Sequence, residues 1–212
     1  MINISSFNRI LFGTNKFSSN IFLITNINKF INVFKKKLFV LHSSSGWWSR
    51  YVLKYNEKKL EMLKIPPGNN VVDCLNVISP FAKKIIWLGY CGSLNNDEKI
   101  GNLVIPNSAI KPYGKNLISL GSNNNLKIIC QTDGVVKSEY FYERLKNKGV
   151  FYVDMESWSV FSFAKKNKIF LKYILVVSDI PTIKPVYYLN QKHFKTIDKA
   201  VLKTVELVKK FI

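Results

Sequence analysis

Short apolar runs, each stopped by a polar or glycine-rich turn, alternate along this chain with stretches of helical periodicity. That alternation restricts it to α/β architectures. The clearest runs are Ile85-Ile86-Trp87-Leu88, which stops at Gly89-Tyr90-Cys91-Gly92, and Tyr173-Ile174-Leu175-Val176-Val177, which ends at Ser178-Asp179. Both read as buried strands. Further strand signals fall at residues 21–25, 38–42 and 47–55, and the last is joined to 60–65 by the polar turn 56–59 as a hairpin. Shorter ones fall at 102–106, 109–111 and 126–130. Helices are predicted over 29–34, 71–78, 139–147 and 155–166, and from 192 to the end, where Ile197, Ala200, Val201, Val205 and Val208 keep helical spacing. Asn69 or Asn70, after Pro66-Pro67-Gly68, is a suitable N-cap for the second of these. No internal repeat or linker interrupts the pattern. The reading is one three-layer α/β domain over residues 21–212, preceded by a 20-residue extension that is either disordered or a targeting segment.

Composition narrows the function classes. The 212 residues are 47% hydrophobic and 14% aromatic, enough for a sizeable core and too much for a disordered chain. No run reaches the roughly 18 apolar residues of a membrane span, so no membrane partner is expected. The net charge of +19 suggests nucleic acid, but the lysines are spread over the whole chain alongside abundant Asn, Ile and Phe. The charge therefore reads as a solvated face, with any nucleic-acid affinity weak and salt-dependent. Three cysteines without CxxC spacing (Cys74, Cys91 and Cys130) read as reduced core residues, and two distant histidines assemble no metal set. A cytoplasmic location is expected. Residues 1–56 contain no Asp or Glu, which leaves organelle targeting open.

The chemistry concentrates in Val153-Asp154-Met155-Glu156-Ser157 and, 22 residues beyond Glu156, Val177-Ser178-Asp179. Two carboxylates at the ends of neighbouring elements suit cleavage of a glycosidic bond, one holding the sugar and one protonating the leaving group. Read singly, Glu156 could be an acid favoured at a helix start, and Asp179 a turn residue before Pro181.

These segments, with others in order, resemble the nucleoside phosphorylase and nucleosidase superfamily over residues 21–210. The resemblance implies a mixed, partly closed β-sheet flanked by helices, assembled as a homo-oligomer, acting on a small-molecule nucleoside without a cofactor, phosphate being a possible co-substrate. It implies that Glu156 binds the ribose hydroxyls with Met155 against the sugar, and that Asp179, beside Ser178, protonates a purine base. Gly89 and Gly92 resemble the family's glycine-rich turn beside the ligand. Thr132 and Asp133 resemble its base-pocket segment, with Phe151 or Tyr152 supplying stacking. Lys29, Arg50, Gly68 and Asn69 stand where phosphate is held, Arg50 reaching into a neighbouring subunit. Trp87 stands where phosphorolytic relatives carry an Arg, and Tyr90 where they carry a small hydroxyl residue. The expected activity is cleavage of a purine nucleoside by phosphate or water. The alternative is a nucleoside-binding or storage protein of the same fold.

Overall fold

The structure, a computed structural model, describes residues 4–68, 70–114, 116–120, 126–134 and 136–212. In chain order the elements are α1 (Ile4–Phe12), β1 (Ile21–Thr25), α2 (Asn28–Lys37), β2 (Phe39–Ser45), β3 (Ser49–Tyr55), β4 (Lys58–Lys64), α3 (Asn70–Ile78) and β5 (Lys84–Ser93). There follow β6 (Leu103–Val104), β7 (Ser108–Ile110), β8 (Leu117–Ser119), β9 (Ile128–Gln131), α4 (Glu139–Lys146), β10 (Val150–Asp154), α5 (Ser157–Lys166), β11 (Phe170–Asp179) and α6 (Gln191–Lys209). All eleven strands join one mixed sheet, in the order β2-β3-β4-β1-β5-β10-β9-β7-β8, with β11 pairing β5 and β6. Helices flank it, as the α/β reading requires.

The continuous apolar runs follow from burial on both faces. Side chains alternate across a strand, so each run divides between two cores. Phe22, Ile24, Ile85, Trp87, Leu175 and Val177 pack on one face, with residues of α1, α3 and α5. Leu23, Ile86, Leu88, Ile174 and Val176 pack on the other, under α2 and α6. α6 starts with a capping box: the Asn190 side chain accepts from the Lys192 and His193 amides, and His193 Nδ1 accepts from the Asn190 amide.

Three differences from the sequence reading matter. Helix α1, within the expected extension, is docked: Leu11 and Phe12 are buried, and the Ile10 and Leu11 carbonyls accept from the amides of Trp47 and Trp48. Gly46 is needed there, since a Cβ on it would lie 2.0 Å from the Ile10 oxygen. Second, β5 does not stop at Gly89 but continues to Ser93. Third, residues 150–154 form a strand that the sequence reading did not predict.

That extra strand creates the site. β1 pairs with β5 in parallel up to Leu88, and β11 pairs along the opposite edge up to Gly92. β10 joins the β1 edge only at Gly92 and Ser93, running antiparallel. Residues 89–91 of β5 are therefore unpaired on that edge, and the sheet splits.

Candidate active site

The split opens a cavity of about 330 Å³. Its floor is Gly89, Tyr90, Cys91 and Gly92 of β5; one wall is Val153, Asp154, Met155 and Glu156, and the other Ser178, Asp179, Pro181 and Val186. Asn26, Ile27, Pro67, Thr132 and Gly134 complete it. The two β5 glycines are there for close packing. A Cβ on Gly89 would lie 2.8 Å from Trp87 Nε1, and one on Gly92 would lie 2.8 Å from Pro181 Cγ.

Glu156 sits between β10 and α5, only 5% exposed. Its Oε1 accepts from Asn26 Nδ2 at 3.1 Å and from the Gly68 amide at 2.7 Å, tying the end of β1 and the backbone at Gly68 to one carboxylate. Burial, then the neighbouring Asp154 charge, push its pKa up to about 7; the two donors oppose that shift. Asp154 is also buried. Its Oδ1 accepts from the Ser157 amide at 3.1 Å and its Oδ2 from the Tyr173 hydroxyl, and burial raises its pKa to about 6 against these bonds.

Asp179 faces them from the end of β11. The β11–β5 register slips between Val177 and Asp179, so Ser178 is the extra residue of a bulge that re-aims the acid. Ser178 Oγ lies 2.7 Å from Asp179 Oδ1 and 3.2 Å from the Cys91 carbonyl. Burial raises the Asp179 pKa, opposed by Ser178 and by the Val186 amide. Thr132 is fixed by its hydroxyl donating toward the Gly134 and Asp154 carbonyls, and the Gln131 side chain caps α5 through the Ser159 amide.

Of the residues predicted from sequence, Glu156, Asp179, Met155, Gly89, Gly92, Thr132 and Ser178 line this one cavity, and Gly68 reaches it through its amide. Others do not. Arg50 is buried beneath the sheet's outer hairpin, its Nε and Nη2 donating to Glu61 Oε2 and Oε1 at 2.8 and 3.0 Å. Glu61 also accepts from the Ser18 amide and hydroxyl, and Arg50 is not among the residues that line the cavity. Lys29, on the exposed face of α2, pairs with Asp198 of α6 at 2.7 Å. Asp133 is exposed and paired with Lys137. Phe151 is half-exposed outside the cavity, and Tyr152 is buried with its hydroxyl toward Glu98 at 3.3 Å. Asn69 lies outside the described residues. Trp87 is buried in the core, stacked on Tyr173 with ring centroids 5.7 Å apart.

Sequence reasoning overlooked Asn26, Asp154, Pro181 and Val186. Asp154 carried a signal, being an acid inside the motif itself, and Pro181 lies two residues beyond Asp179; Asn26 meets the site only through long-range packing. Among the described residues no cluster fit for a metal ion occurs, and no helix is long and apolar enough to cross a membrane.

No protein-family model matches the sequence, and no curated protein sequence matches it significantly. Solved structures do match the fold. The 5'-methylthioadenosine/S-adenosylhomocysteine nucleosidase of Campylobacter jejuni superposes with a TM-score of 0.75 at 15% identity, over 91% of this chain and 98% of that one. The 5'-methylthioadenosine nucleosidase of Arabidopsis thaliana gives 0.76 at 15% identity, over 91% and 95%. A futalosine hydrolase mutant of Helicobacter pylori gives 0.71 at 14%, over 91% and 97%. The sheet that splits at β5, and the acids it gathers there, thus sit in a chain with the nucleoside phosphorylase/nucleosidase fold.

Proposed function

We propose that this chain cleaves the N-glycosidic bond of a purine nucleoside, with water as the acceptor. The observation that carries the reading is that Glu156 and Asp179, from opposite walls, open onto one cavity. Cleavage develops positive charge on the sugar and negative charge on the base. An ionised Glu156 accepting from ribose hydroxyls stabilises the first, and a protonated Asp179 relieves the second. Asp179 is suited to hold a proton because burial raises its pKa. Met155 and Thr132 line the same cavity as Glu156, in which the sugar would lie.

The choice of acceptor follows from charge. No Lys or Arg is among the described residues lining the cavity, whereas three carboxylates are. A phosphate dianion would meet repulsion with no compensating cation in place. Water meets none. The matched nucleosidases act on methylthioadenosine, S-adenosylhomocysteine or futalosine by their names, which makes adenine nucleosides the first substrates to try. Reaction in ¹⁸O-labelled water tests the acceptor: mass spectrometry should find one heavy oxygen in the released sugar. Unlabelled sugar phosphate would refute the hydrolytic reading.

A further inference from the structure

We propose that Asp154, pinned by Tyr173 and by the Ser157 amide, is a positioning residue that holds the Glu156 turn in place and sets its own charge beside that carboxylate. This rests on the reading of Glu156 as the sugar anchor. Residues 154 and 156 bracket the turn between β10 and α5, and both line the cavity. Each Asp154 oxygen has its own donor, the Ser157 amide on Oδ1 and the Tyr173 hydroxyl on Oδ2. Through the first, Asp154 holds the opening turn of α5, and so the backbone that carries Glu156. The second is itself immobilised: Tyr173 is 1% exposed, stacked on Trp87 at an interplanar angle of 3° and packed against Phe161 at 5.3 Å. Trp87 thereby has a use unrelated to phosphate, as the wall that aims Tyr173.

Two buried acids that line one cavity, two residues apart in the chain, titrate as a coupled pair. The titratable groups facing Asp154 from the packed elements are Cys91 of β5, Cys130 of β9, Tyr173 of β11 and Glu156 itself. Burial raises the two thiols and the phenol, Cys130 to about 12, so these three stay protonated near neutrality. Glu156 is then the member that answers to the Asp154 charge. Burial first, and the ionised Asp154 after it, resist ionisation of Glu156 and push its pKa up to about 7.

Asp154→Asn keeps an oxygen for the Ser157 amide but removes the charge; Tyr173→Phe leaves the acid but removes its donor, favouring the neutral form. Both should let Glu156 ionise at lower pH. The direct readout is the ¹³Cδ titration of Glu156, assigned by its disappearance in Glu156→Gln. Its midpoint should fall by about one pH unit in Asp154→Asn and by less, in the same direction, in Tyr173→Phe. The acid limb of kcat/KM should follow. An unmoved or raised midpoint in whichever variants fold overturns the proposal. If the midpoint falls but the unmutated protein cleaves no nucleoside, the coupling stands and the anchor reading fails.

Discussion

Replacing Glu156 by Gln should make the protein more stable while removing its sugar anchor, and only above mildly acidic pH. Folding moves the Glu156 pKa from 4.5 to about 7. The pKa is raised on folding, so its stability contribution is fully present below 4.5 and is lost as the pH rises to 7. About 2.5 units at 1.36 kcal/mol each gives a loss of about 3 kcal/mol above neutrality. Gln is uncharged at every pH and can still accept from Asn26 and the Gly68 amide. Below pH 4.5 the two side chains are nearly equivalent. Urea unfolding at pH 4.5 and pH 8.5 should therefore show a small difference at the first and a variant about 3 kcal/mol more stable at the second. The same variant should have a raised KM for nucleosides. A stability difference independent of pH would refute the argument that burial of an ionisable Glu156 strains the fold.

Three further substitutions probe separate parts of the account. Asp179→Asn should reduce turnover at least ~100-fold, by the usual size of a general-acid effect, with KM changed little; single-turnover base release measures it. Arg50→Leu should cost about 3–5 kcal/mol, because it strands the fully buried Glu61, and Arg50→Leu with Glu61→Leu should recover much of that in thermal unfolding. Neither should alter the rate of base release with or without phosphate, since Arg50 lies outside the cavity. Gly89→Ala should destabilise by about 1–3 kcal/mol through the 2.8 Å approach to Trp87 Nε1, and Trp87→Phe in that background should relieve part of it.

The parts of this fold written locally were readable in the sequence. The runs at 85–88 and 173–177 became the central pair β5 and β11, and the helical spacing at 197–208 became α6. Glu156 and Asp179 could be named because the segments that carry them resemble a known superfamily; read singly, one could be a helix-start acid and the other a turn residue. What the sequence concealed was long-range. Glu156 is held by residues 130 and 88 positions away, for which no local pattern exists. Arg50 and Lys29 have the right charge, but Glu61 and Asp198 claim them. The glycines at 89 and 92 read as a turn, yet burial on both sides keeps that backbone in the sheet. β10 was hidden because its five residues mix apolar side chains with an acid, Asp154, that is satisfied only in three dimensions.

The central claim is that one anionic cavity cleaves nucleosides with water. Chromatography of free base released from adenosine, inosine, guanosine, uridine and methylthioadenosine, each with and without phosphate, tests it most directly. The account predicts release from at least one purine nucleoside at the same rate in both conditions, and loss of that release in Asp179→Asn. Release that requires phosphate would contradict the acceptor. Tight nucleoside binding with no free base from any of the five would contradict the enzyme and leave a binding protein of this fold.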